Sequence, residues 1–350
     1  MQGLFFGRGR VLAAILMVTM VLGIAAAACV TDPSQAGVLV SMKDPGVTGD
    51  GVAYSREDIL GAINEDPGPD SWEIVFDGSE QGLTPNHHVG SFTPGDLING
   101  FSSADFEALD TLYISFSQNR VRVPGIDGWV YGNDIVRWEE DESLAVGPGT
   151  FEMFFDGSDV GLTTVDEKLD GISVVTPDVL NAWMSANDVE IPWDCNAGVI
   201  FATTQAAYSV PGANGKPLKG RGSDILLFCA FNTGSDTAGL WFRVFKGSYV
   251  NFSPQNTVMS LDVDNFYLLE QPEEGDVDLD AVMSFFFTGR LVGFSADGIL
   301  GSQTGQHSQL YRAGTLTGVT GPYIDFNSGV QVAPVNGKIS GVSIYDFYED

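Results

Sequence analysis

"FDGSDVGL", residues 155–162, reads as the end of an aromatic strand that stops at an Asp-Gly-Ser turn. Nearly the same phrase, "FDGSEQGL", stands at 76–83, and a worn copy, "FKGSYVNF", at 245–252. Extended backwards, the phrase becomes "WEIVFDGS" from Trp72, "FEMFFDGS" from Phe151, "WFRVFKGS" from Trp241 and "YIDFNSG" from Tyr323, with starts 79, 90 and 82 residues apart. Self-similarity at such a period is the mark of a repeat architecture.

Three more segments recur in a fixed order. An apolar run after an Asp is seen in "ADFEAL" from Ala104, "LDGISV" from Leu169 and "VDNFYL" from Val263, with "ISGVSI" from Ile339 as a fourth copy. A β-rich run follows in "TLYISFS" from Thr111, "GVIFATT" from Gly198 and "RLVGFSA" from Arg290. The last is "NDIVRW" from Asn133, "SDILLF" from Ser223 and "SQLYRA" from Ser308. Each run is short, rich in Phe, Tyr, Val and Ile, and bounded by Gly, Asp or Pro, as strands are. The recurrence predicts an all-β, four-bladed β-propeller with four antiparallel strands per blade; a β-sandwich is the alternative. Before the first "FDGS" lie only "GVLVSM" from Gly37 and "EDILGA" from Glu57, and the chain ends on a spare "ISGVSIYDF". The C-terminal strand is therefore expected to join the N-terminal blade and close the ring, hiding the edges of an open sheet.

The repeat unit resembles blades of exported bacterial β-propeller-like repeat proteins with FDGSDVGL-type phrases. That resemblance spans about 37–347, with specific first and second copies and decayed later ones. It implies an exported propeller-like domain and transfers no catalytic motif.

The domain layout reads as a signal peptide over 1–28, a linker over 29–36 and one domain over 37–350. Arg8 and Arg10 precede an uncharged run, Val11 to Ala28, and the small residues of "AAAACV" at 25–30. The segment resembles a bacterial lipoprotein signal, with Cys29 as the lipidated residue. Plain cleavage near Ala28 and a retained anchor are the alternatives, and all three put the rest of the chain outside the cytoplasm, at the cell surface or in the periplasm. Two insertions break the repeat, at 176–196 and 270–288. In the first, "PDVLNAWMSA" predicts a short helix with Pro177 at its start. Both are expected on one face, as a recognition surface.

Lys+Arg 16 against Asp+Glu 46 gives a net charge of -30, which excludes nucleic acid as a natural partner. With 44% hydrophobic and 11% aromatic residues, the chain has ample material for a core. Membrane contact is expected only through the N-terminal signal or lipid. His87, His88 and His307 are the only histidines, and no Walker loop, GxSxG or HExxH occurs.

Several residues carry specific expectations. Asp105, Asp170 and Asp264 are read as one repeat position facing a central channel, where carboxylates from several segments suit a structural Ca²⁺; turn capping by each Asp is the alternative. Asp77 and Asp156 read as turn formers. Asp58, Asp134 and Asp224 are expected to hydrogen-bond between neighbouring blades. Pairing Val199 with Leu227 brings Cys195 and Cys229 to one end of a hairpin, which predicts a disulfide in an exported protein, with two buried thiols as the alternative. Trp183 and Trp193, in the first insertion, are the ligand-stacking candidates, and Trp129 lies in another loop. The expected function is an exported, anchored binding or scaffold module without catalytic activity, for a protein or carbohydrate ligand. The alternative is a secreted carboxylate-dependent hydrolase of glycosidase type.

Overall fold

Runs of Val, Ile and aromatic residues between Gly, Asp and Pro form the strands. The computed structural model describes residues 36–62, 71–95, 109–140, 148–187, 193–247, 258–268, 281–289, 306–314, 318–325, 335 and 337–346. β1 (Ala36–Met42) leads through the hairpin β2 (Gly46–Val47) and β3 (Ala53–Tyr54) to β4 (Ile59–Ala62) and β5 (Trp72–Phe76). β6 (Val89–Pro94) and β7 (Thr111–Phe116) precede a second hairpin, β8 (Arg120–Val121) and β9 (Val130–Tyr131), then β10 (Ile135–Glu139) and β11 (Thr150–Phe155). The third set is β12 (Leu169–Val175), helix α1 (Pro177–Asn187), β13 (Val199–Thr204), the hairpin β14 (Tyr208–Pro211) and β15 (Pro217–Gly220), β16 (Ile225–Asn232) and β17 (Ala238–Phe245). The last strands are β18 (Val258–Leu268), β19 (Ala281–Gly289), β20 (Gln309–Gly314), β21 (Gly318–Asp325) and β22 (Ile339–Asp346).

These strands make four antiparallel sheets of four: β22-β1-β4-β5, β6-β7-β10-β11, β12-β13-β16-β17 and β18-β19-β20-β21. The expected four-bladed β-propeller is corrected here: among the described residues the strands form several small antiparallel sheets, and no sheet closes into a barrel or propeller. The last strand nevertheless pairs with the first, Ala36 opposite Asp346 through Met42 opposite Ile339.

Sheets meet through side chains and a few single bonds. Phe76 and Leu39 of the first sheet pack with Phe92 and Trp138 of the second. Phe155 packs with Phe228 and Trp241 of the third, Phe201 and Phe242 with Leu261 and Tyr311 of the fourth, and Leu310 with Val38 and Trp72. One backbone bond repeats at each junction: Val89 N–H to Arg56 O (3.0 Å), Leu169 to Gly132 (2.9 Å), Val258 to Gly222 (2.9 Å) and Ile339 to His307 (3.2 Å).

A buried polar seam repeats as well. Thr93 Oγ1 accepts from Val174 N–H at 3.3 Å, Ser173 Oγ from Val263 N–H at 3.3 Å, and Asp262 Oδ2 from Ile344 N–H at 2.9 Å. Ser343 is the fourth member, and the equivalent donor would be residue 94. That residue is Pro94, which has no N–H, and the buried Ser343 hydroxyl is left without a partner. Edge strand β6 tolerates the proline because its own ladder does not need that donor. Pro94→Ala is expected to stabilise the protein by about 1 kcal/mol: satisfying a buried orphan is worth about 1–3 kcal/mol, against roughly 0.4–1 lost from the proline's effect on the unfolded chain. Denaturant midpoints measure this, and a fall in the midpoint would refute the missing-donor account.

Two strands lie away from their expected places. The first strand of the second sheet is β6, not the run from Ala104, and the second strand of the fourth sheet is β19, not the run from Arg290. "VGSFTP" carries a Gly and a Pro and lacks the Asp that marked the other copies. Residues 281–288, read as part of an insertion, belong to β19; residues 270–280 lie outside the described residues.

Candidate functional site: a cleft beside the helical insertion

Helix α1 forms where Pro177 fixes the first turn and Asp178 places a carboxylate at the positive end of the helix dipole. Cys195, in the loop that returns from it, is bonded to Cys229 of β16, with Cα atoms 4.9 Å apart. The ladder sets Val199 opposite Cys229, two residues from the expected partner Leu227. The bond staples the insertion to the third sheet across a sequence separation of 34.

A cleft of about 370 Å³ opens between this insertion and the second sheet. Thr176, Pro177, Asp178 and Ala197 form one wall; Thr111, Tyr113, Arg137, Glu139 and Phe154 form the other. Tyr113 and Phe154 pack with ring centroids 4.5 Å apart. Arg137 Nη2 bridges Glu152 (2.6 Å) and Glu139 (3.2 Å). β10 holds Arg137 between Tyr113 of β7 and Glu152 of β11. The cleft therefore offers an aromatic edge, hydroxyls and a guanidinium fixed by carboxylates. This is the chemistry of a site for a polar, hydroxyl-bearing ligand. The run "TLYISFS" contributed Tyr113, but nothing in one sequence marked Tyr113 and Phe154 as a pair, because they meet through cross-strand register.

Of the Asp trio, the structure describes only Asp170 in full. Asp170 is the second residue of β12 and partly exposed. Burial pushes its carboxyl up, against the pull of Lys43 and Lys168. Asp264 is the seventh residue of β18, not ahead of the strand, and its side chain lies outside the described residues. Asp105 lies outside them too and is not part of β6. Asp170 and Asp264 therefore do not hold one common strand position. Among the described residues, no group of three or more His, Cys, Asp and Glu is placed to hold a metal. Cys29 also lies outside the described residues. No helix among the described residues is long and apolar enough to cross a membrane.

Trp183 and Trp193 are half-buried against the core between the third and fourth sheets. The Trp193 ring lies 4.6 Å from Phe242. Both side chains thus pack against that core on one side. Trp129 is exposed at 40% and faces the guanidinium groups of Arg120 and Arg122 at 4.6 and 4.3 Å.

Asp58, Asp134 and Asp224 work within their sheets rather than between them. Asp134 accepts from Tyr131 N–H (2.7 Å) and Gly157 N–H (3.0 Å). Asp58 accepts likewise from Ser55 (2.7 Å) and Gly78 (3.2 Å), and Asp224 from Arg221 (3.3 Å) and Gly247 (3.0 Å). Each ties the start of a third strand to the Gly of the turn after the fourth. Asp77 and Asp156 form their own turns, accepting from Ser79 and Ser158 N–H at 2.9 Å. Burial pushes Asp58 and Asp134 up, Asp134 to about 7. Comparison with protein-family models, with curated proteins and with solved structures finds no match to this chain.

Proposed function

We propose that the chain is an exported, non-enzymatic binding or scaffold module that presents the cleft between β7, β10, β11 and α1 to a carbohydrate or protein ligand. The observation that carries this reading is the division of labour among carboxylates. Asp58 and Asp134, whose pKa is raised, are occupied by backbone N–H groups; Glu57 and Asp170 are raised as well, and none of the four lines the cleft. Perturbed acids free to transfer protons would sit in the cleft of an enzyme. The cleft itself combines aromatic, hydroxyl and charged groups suited to recognition.

The hydrolase reading keeps one supporting observation, Glu139 and Asp178 lining the same cleft. One experiment separates the two. Residues 30–350 are screened against neutral oligosaccharides by calorimetry and against chromogenic glycosides for turnover. Binding that weakens at least about tenfold in Phe154→Ala, a loss of about 1.4 kcal/mol, without turnover supports a binding module. Turnover that collapses in Glu139→Gln or Asp178→Asn overturns it in favour of the hydrolase.

A further inference from the structure

The third sheet carries a second cleft, of about 350 Å³, between the β14–β15 hairpin and β17. Its lining includes Lys216, Lys219 and Arg243, with Asn214 at the rim and Trp241 and Phe242 in the wall. Cations are scarce here: 16 in the chain against 46 acidic residues. Between Asp194 and Asp224 there is no acidic residue at all, and Lys216, Lys219 and Arg221 fall within that span. A surface dominated by acids would ordinarily spread its few cations as partners for them. Here three line one concavity, and of these Arg243 also faces Asp224 at 4.0 Å.

The cleft is also fixed in shape. Arg243 Nη1 donates to Lys219 O at 3.2 Å, and its side chain is only 15% exposed. Asn214 Oδ1 accepts from Lys216 N–H at 2.9 Å, and Gly212 N–H donates to Lys216 O at 2.9 Å, so the tip of the hairpin is closed on itself. Gly215, with φ of 74°, makes that turn possible. Ala213 N–H donates to Trp241 O at 3.3 Å and holds the hairpin to β17.

We propose that this cleft binds a small oxyanion-bearing solute: a phosphate or sulfate ester, or a carboxylate. The net charge of -30 does not oppose this, because exposed charges beyond about 10 Å are largely screened at 0.1 M salt. Nearby charges then decide the sign of the potential: Asp224 offsets Arg243, Lys216 and Lys219 leave the cleft positive, and ammonium and guanidinium groups are the natural donors to oxyanions. The site is distinct from the cleft beside α1 and does not depend on it.

The test titrates inorganic phosphate, sulfate, acetate and citrate separately into residues 30–350 at constant ionic strength, read by backbone amide shifts of 212–219. Saturable binding is expected. It should weaken at least about tenfold in the double variant Lys216→Gln/Lys219→Gln, with the melting temperature unchanged, and survive in Lys216→Arg/Lys219→Arg. Arg243 is left intact because it also braces Lys219 and lies 4.0 Å from Asp224. Preference for phosphate and sulfate identifies an ester as the ligand class; preference for acetate and citrate identifies a carboxylate. Absence of saturable binding by all four anions, or equal binding by the Gln variant, overturns the proposal.

Discussion

Deletion of residues 339–350 is expected to leave a chain that does not fold. β22 pairs along the whole of β1 and places Ile339, Val342 and Ile344 in the core between the fourth and first sheets. All three are buried. Burying each such side chain is worth about 1.5–3 kcal/mol, so their loss removes about 5–9 kcal/mol. That is comparable with the whole stability of an ordinary domain, about 5–15 kcal/mol. Asp262 would also lose the Ile344 N–H, and β1 would become an open edge. Far-UV circular dichroism and a thermal melt of the truncated chain provide the measurement. A soluble product with an unchanged melting temperature would show that β22 is dispensable.

Stability is expected to fall as pH rises from about 4 to 7, with Asp134 as a principal cause. Burial pushes its carboxyl from 3.8 to about 7; bonds from Tyr131 and Gly157 oppose the shift, and Asp156 and Asp159 add to it. In the unfolded chain the group has its ordinary value. Between the two values the unfolded chain has released a proton that the folded one keeps. The contribution is therefore fully present below about 4 and lost as pH rises through about 7, and it amounts to about 4 kcal/mol at most. Asp134→Asn should reduce the slope of unfolding free energy by up to about 1.4 kcal/mol per pH unit across this window. Glu57, Asp58 and Asp170, also pushed up by burial, preserve part of the slope. Superimposable curves for the two proteins would refute the assignment.

The strand content and four-strand grouping were legible because aromatic and β-branched runs recur between fixed turn residues. The helix at Pro177 and the meeting of Cys195 with Cys229 were legible from local pattern and from ladder arithmetic, although the register was off by two. How the sheets are arranged was not legible: recurrence fixes the number and order of strands within a sheet, not how one sheet is set against the next. That Asp170 and Asp264 take different strand positions was hidden for a related reason. An Asp before an apolar run marked β12, but β6 has none, and Asp264 lies well inside β18. The polar position that does recur, Thr93, Ser173, Asp262 and Ser343, varies in residue type and is visible only once the strands are aligned in space. The cleft beside α1 was hidden for the same reason, since its walls come from strands far apart in the chain.

The partnership of β1 with β22 also imposes an order in time. The first strand of the domain to be synthesised waits for the last before one of its edges is satisfied, and loop-closure entropy over nearly the whole chain makes that late step slow. During the wait, the apolar run "GVLVSM" has an unsatisfied backbone on one side. Until β22 arrives, β1 is therefore the segment most open to pairing with another chain.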